Sequence, residues 1–225
     1  MMSNTPGYPH KIFKKIVELL FPVYCVRCAT RGAIVCEKCL EHLHTSPSPV
    51  GGVLVALAYK DRFVRQALWR LKYKGEKHVA ETLASVLFHH VRDRLFEIAE
   101  ESPLSRDEWL IVGAPSPHER ITKRGYNHAE LLATSIAEKL GEGHIFESGI
   151  LEVHKPIVQQ AKTTSRAERE RNVRGAFRVS EHISVRGKNI VVIDDITTTG
   201  ATIHECEHTL RRAGAHRILL AAVAH

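Results

Sequence analysis

The segment NIVVIDDITTTGATIHE, residues 189–205, runs four aliphatic side chains into two adjacent carboxylates, three hydroxyls and a glycine. Each residue type has a use there. Backbone N–H groups at a helix start, aided by the helix dipole, can cradle a phosphate. Thr198, Thr199 and Thr202 add hydroxyl donors, and Gly200 lets the backbone approach closely. Asp194 and Asp195, just ahead of that turn, suit two vicinal hydroxyls, a pairing that ribose 5-phosphate presents. The plainer alternative is a buried parallel strand that ends in a polar turn.

Other phosphate motifs do not fit. No GxxxxGK[ST] loop occurs, so VVIDD has no Walker A partner, and VRGKN lacks both the spacing and the hydroxyl. The dinucleotide fingerprint fails because Phe146 stands where a third glycine would follow Gly141 and Gly143. A phosphoacceptor aspartate would explain the acidic pair but not the threonine-rich turn behind it.

A second chemistry lies near the start. CVRC and CEKC place Cys25, Cys28, Cys36 and Cys39 in two knuckles separated by seven residues. Four thiolates can converge on one tetrahedral Zn²⁺ and leave no open position, so such a metal would be structural. The alternative is four buried or oxidised cysteines, which a reducing compartment disfavours. The fifth, Cys206, falls on the core spacing of a helix and reads as an inert thiol.

Positive charge is concentrated in three places: residues 62–77, the stretch ITKRGYNHAE, and SRAERERNVRGAF at 165–177. The last supplies Arg166, Arg169, Arg171 and Arg174, with Glu168 and Glu170 available for ion pairs on a solvated helix face. The formal charge of +7 favours anionic partners.

These groups need a scaffold. At 225 residues the chain has room for one α/β domain and a small appendage. A composition shift near TSPSPVGG divides residues 1–45, an amphipathic first helix (Ile12, Phe13, Ile16, Leu19, Leu20) with the cysteine module, from a domain at 46–225. In that domain VLVALAY, WLIVGAP, KNIVVIDD and HRILLAAVA read as strands. Between them lie helical stripes at Val79–Ile98 and Leu132–Leu140, the latter closed by Gly141, and a helix at ATIHECEHTLRRAG closed by Gly214. The alternation predicts a parallel sheet with flanking helices and ligands at the strands' carboxyl ends. No apolar run approaches the roughly 20 residues of a membrane span, and the start lacks a secretory cleavage site. The expected compartment is the cytoplasm.

VVIDDITTTGAT resembles the signature loop of the type I phosphoribosyltransferases, and four pieces together resemble the competence protein F family of phosphoribosyltransferase-like proteins. These are the paired CxxC, RxxxRGYN at 120–127, the run from Gln160 to Phe177, and the Asp-Asp-Thr loop; LKYKG at 71–75 is a fifth likeness. The resemblance implies a type I phosphoribosyltransferase-like sheet with an N-terminal zinc module. It implies that Asp194 and Asp195 meet the ribose of phosphoribosyl pyrophosphate (PRPP), and that Thr197, Thr198, Thr199, Gly200, Ala201 and Thr202 hold its 5-phosphate. Arg166, Arg169 and Arg174, on a mobile lid, with Lys72 or Arg124, would meet the pyrophosphate, and Mg²⁺ would ride on PRPP. Gly113, Ala114, Pro115 and Ser116 replace the family's Pro-Val-Pro-Leu type loop, and His128 replaces its glutamine, reading as a surface substitution. The family name implies a link to DNA uptake or nucleotide metabolism and to competence-machinery proteins. The acceptor of a transferred phosphoribosyl group is not legible. The alternative is a non-catalytic accessory or scaffold that binds single-stranded DNA through its basic segments, with bases stacked on Trp69 or Tyr73.

Overall fold

The computed structural model describes residues 24–33, 35–40, 42–43, 45–46, 48–101, 108–156 and 165–225, without the side chains of Glu37 and Arg166. The first helix expected at Ile12–Leu20 and the segment 157–164 lie outside the described residues. The chain divides into two compact units, Met1–His42 and Leu43–His225.

The small unit holds a short antiparallel bridge between Tyr24 and Arg31 and one turn of helix, α1 (Glu37–Leu40). Among its described residues Cys25, Val35 and Cys39 are buried.

The large unit is built on a five-stranded, all-parallel sheet in the order β1-β7-β6-β2-β3. Its strands are β1 (Leu54–Leu57), β2 (Trp109–Gly113), β3 (His144–Phe146), β6 (Asn189–Ile196) and β7 (Arg217–Ala224). The central three, WLIVG, NIVVIDDI and RILLAAVA, are nearly continuous apolar runs, as strands covered on both faces must be. Helices α3 (Val79–Glu101) and α5 (His128–Leu140) pack together on one face. The other face carries α7 (Ala201–Arg212). A separate antiparallel ribbon of β4 (Leu151–Val153) and β5 (Phe177–Val179) joins the cluster around α7. Ile150, Phe177, Ile203, Cys206 and Leu210 are buried in that cluster. Cys206 is fully enclosed and burial pushes its thiol well above the usual range, which fits an inert core residue.

Two further helices carry basic residues to the sheet's carboxyl edge. The segment around Trp69 forms α2 (Arg62–Tyr73), which buries Val64, Ala67, Leu68 and Leu71 at helical spacing. Asp61 caps it by accepting from the N–H groups of Phe63 (2.8 Å) and Val64 (3.4 Å). The shorter α4 (His118–Arg124) stops at Gly125, whose φ of 81° is left-handed. Finally α6 (Arg166–Val173) starts at a capping box: Ser165 Oγ accepts from Glu168 N–H (3.3 Å), and Glu168 Oε2 accepts from Ser165 N–H (2.8 Å).

Candidate functional site

The carboxylate pair sits at the end of the central strand β6, where side chains alternate between faces. Asp195 is only 4% exposed, and its Oδ2 lies 2.6 Å from Lys72 Nζ and 3.4 Å from His128 Nε2. The Lys72 contact is a close, largely enclosed ion pair. Asp194 is partly exposed, and its Oδ1 accepts the backbone N–H of Asp195 at 2.8 Å.

Electrostatics separate the two. Burial, reinforced by the charge of Asp195, pushes the Asp194 carboxyl up to about 8. Burial also works to raise Asp195, but the Lys72 ammonium overrides it and holds the group below its usual value. The two carboxyls are thus driven apart, Asp194 toward its protonated form and Asp195 toward its ionised one, as expected for close like charges of which only one has a cation.

Both aspartates line a cleft of about 320 Å³ with Lys72, Arg120, Arg124 and Tyr73. Pro115, Ser116 and Thr202 complete its rim. The cleft brings together residues distant in sequence because Asn127 ties its wall. Asn127 Nδ2 donates to Ala114 O (3.0 Å), while its Oδ1 accepts from Ala129 N–H (3.1 Å) and caps α5. The Tyr126 hydroxyl donates to Leu71 O, joining this segment to α2 beside Lys72.

His128 corrects one expectation. It is 8% exposed rather than a surface residue, and burial lowers its pKa to about 4 against the pull of Asp195. The imidazole is therefore neutral near pH 7, so its contact with Asp195 is not an ion pair. Its Nδ1 has no hydrogen-bond partner among the described residues. Sequence reasoning assigned no role to Arg120, Asn127 or His128, although the first two bound the RxxxRGYN motif and the third follows it directly. Arg120 opens the RxxxRGYN motif, which is the signal that could have found it.

The loop from Thr197 to Thr202 lies at the same sheet edge. Thr197 is buried and its N–H donates to Ala224 O at 2.9 Å, while His225 Nδ1 lies 3.0 Å from Thr197 O. Thr198 is exposed. Gly200, with φ of 79°, forms the left-handed start of α7. Arg169 Nη1 donates to Thr198 Oγ1 (3.2 Å), bringing α6 to this loop. Arg174 instead lines a second groove of about 520 Å³ with Thr199, His204 and His208. Neither arginine lines the carboxylate cleft. The Arg166 side chain lies outside the described residues.

A ladder of rings and cations borders the cleft. Trp69 (49% exposed) and Tyr73 (60%) have centroids 6.2 Å apart. Lys74 Nζ lies 5.2 Å from the Trp69 ring centroid, and Arg124 Cζ lies 5.1 Å from that of Tyr73.

In the small unit one Sγ from each of Cys25, Cys28, Cys36 and Cys39 lies within 4.8 Å of the others. Tetrahedral Zn–S bonds of about 2.3 Å imply S···S separations of roughly 3.8 Å, and Cys28 and Cys36 stand 3.5 Å apart. The Cys36 N–H points at Cys25 Sγ (3.5 Å), and Arg27 Nη1 donates to His42 O (2.8 Å). The cluster fits a metal such as zinc.

Comparisons with known proteins agree with this architecture. A phosphoribosyl transferase domain matches residues 122–225. Competence protein F of Haemophilus influenzae is 25% identical over 88% of this chain and 82% of its own length. The DNA utilization protein YhgH of Salmonella typhimurium is 27% identical over 85% of this chain and 79% of its own. Competence protein ComFC of Bacillus subtilis is 25% identical over 69% of this chain and 56% of its own. The fold is that of a type I phosphoribosyltransferase-like protein with an N-terminal four-cysteine module. Within that class the resemblance to the competence protein F family holds over most of the chain.

Proposed function

We propose that the large unit binds PRPP or another phosphoribosyl ligand and transfers or recognises its phosphoribosyl group. The observation that carries this reading is the single cleft in which a carboxylate pair faces Lys72, Arg120 and Arg124 beside a glycine-turned helix start. The aspartate pair is the ribose site. The backbone and hydroxyls of residues 197–202 receive the 5-phosphate. Lys72, Arg120 and Arg124, with the backbone at Pro115 and Ser116, stabilise the departing pyrophosphate. Arg169, already at Thr198, with Arg166 at the start of α6 and Arg174 just past its end, closes over the phosphate end. Mg²⁺ arrives on the pyrophosphate, since among the described residues the four cysteines are the only cluster able to hold a metal. In the small unit those cysteines hold a structural Zn²⁺. Calorimetric titration with PRPP, with and without Mg²⁺, tests the reading. Micromolar binding that needs Mg²⁺ and is abolished by Asp194→Asn with Asp195→Asn supports it; equal affinity of that variant and wild type overturns the site.

The exposed ladder of Trp69, Lys74, Tyr73 and Arg124 favours a second activity on the same chain, binding of single-stranded DNA in DNA uptake. Rings supply stacking and the cations meet phosphates. The names of the relatives, competence and DNA utilization proteins, point the same way. Trp69→Ala with Tyr73→Ala should weaken binding of an oligonucleotide, and affinity should fall steeply with salt. A flat salt response excludes phosphate contacts.

A further inference from the structure

We propose that His225 is a positioning residue for the phosphate loop: its ring holds the Thr197 carbonyl and so turns the Thr198 N–H toward the ligand's phosphate. The proposal rests on the phosphoribosyl reading of the large unit and adds to it a residue that does not line the carboxylate cleft.

The register of the sheet sets the two residues side by side. Ile196 of β6 pairs with Ala224 of β7, so the chains leaving both strands start as neighbours. Thr197 is buried and both of its backbone groups are engaged. Its N–H donates to Ala224 O (2.9 Å), and its carbonyl faces His225 Nδ1 (3.0 Å). A carbonyl oxygen only accepts, so Nδ1 carries the proton and donates it. The backbone of His225 is held independently of its ring. Its N–H donates to Leu57 O (3.1 Å), and its carbonyl accepts from Tyr59 N–H (2.7 Å).

The consequence lies in the next peptide. In a planar trans peptide the C=O and the following N–H point in opposite directions. With Thr197 O pinned toward His225, the Thr198 N–H is turned away from that ring, and Thr198 itself is exposed. The N–H groups of Thr198, Thr199 and Gly200 donate to no acceptor among the described residues, so three successive donors are left for phosphate oxygens. Released from His225, the Thr197 carbonyl is free to rotate and to set an oxygen where an N–H belongs, against the phosphate. His225 thus acts through Thr197 and does not touch the ligand.

The test is calorimetry with ribose 5-phosphate, pyrophosphate with Mg²⁺, and PRPP with Mg²⁺. Melting curves establish that each variant is folded. His225→Ala is expected to weaken ribose 5-phosphate and PRPP about five- to tenfold, the size of one lost hydrogen bond, and pyrophosphate by less than about twofold. In His225→Asn the side-chain amide N–H can stand where Nδ1 does, so ribose 5-phosphate affinity should return to within about twofold of wild type. A general loosening of the fold would instead weaken both probes together and would not be rescued by asparagine. Three results overturn the role of His225 alone: unchanged ribose 5-phosphate binding in the alanine variant, equal loss of both probes, or an asparagine variant as weak as alanine. Wild-type protein that binds none of the three ligands overturns the phosphoribosyl reading, and the role of His225 falls with it.

Discussion

Gly113, the last residue of β2, lies directly against the backbone of Glu130 in the first turn of α5. A Cβ at Gly113 would stand 2.6 Å from Glu130 N and 2.8 Å from Ala129 C. Backbone cannot move aside as a side chain can, so the close approach of helix to strand requires glycine here. Gly113→Ala is expected to destabilise the large unit by about 3 kcal/mol, the upper range for overpacking. Thermal melting should drop by roughly 6–12 °C for a domain of this size.

Asn127 serves two neighbours with one amide, and its variants can be told apart. Asn127→Ala loses both the α5 cap and the bond to Ala114 O, an expected cost of about 2–3 kcal/mol. Asn127→Asp keeps the cap acceptor but places a carboxylate against the Ala114 carbonyl. It should therefore disturb the loop of Pro115 and Ser116, read as weaker pyrophosphate binding, out of proportion to its effect on helix stability.

His128 gives the protein a measurable acid sensitivity. Its pKa in the folded chain is lowered from 6.5 to about 4, so the unfolded chain takes up the proton first as pH falls. The stability owed to the neutral ring is complete above about pH 6.5 and is lost between there and about pH 4, by at most about 3 kcal/mol. Asp194 slopes the other way. Its carboxyl is held up at about 8, so its contribution is complete below the usual carboxylate value of 3.8 and is lost as pH rises through 8. Comparing wild type with His128→Gln cancels the Asp194 slope. Denaturation midpoints of the variant should change less between pH 6.5 and 4 than those of wild type; identical profiles would show that His128 is not buried neutral.

Removal of metal should act on the small unit. Elemental analysis is expected to find about one zinc per chain, falling toward zero with Cys25→Ser or Cys39→Ser. Chelation should increase proteolysis around residues 24–43 while the main melting transition of the large unit is retained. Unchanged proteolysis after chelation would mean that the cysteine cluster is ordered without an ion.

Much of the large unit is legible in the sequence because its central strands are uninterrupted apolar runs and its helices end at Gly141 and Gly214. Gly141 N–H donates to Ala137 O, and Gly214 N–H to Arg211 O, as the closing turns require. The strands β3, β4 and β5 have three residues each, too short to display a period. The segment of α2 hides its buried stripe among arginines and lysines, so no element was assigned there. The aspartate pair and threonine loop are contiguous in sequence and easily read. The cleft's other wall is legible only in part: LKYKG and RGYN point to Lys72 and Arg124, but Arg120, Asn127 and His128 are missed because the wall is assembled from α2, α4 and the start of α5. His128 shows the limit most clearly: nothing in GYNHAE indicates that its ring turns inward to Asp195.

The exposed ring of Trp69 has a practical consequence. The chain contains two tryptophans, and the other, Trp109, is 3% exposed within β2. Their fluorescence should therefore resolve into a red-shifted component that iodide quenches and a blue-shifted one that it does not reach. Because Tyr73 lies both in the cleft rim and beside Trp69, occupancy of the cleft should alter the quenchable emission first. The buried emitter responds only when the sheet itself comes apart, so one untreated sample reports ligand arrival and unfolding in separate colours.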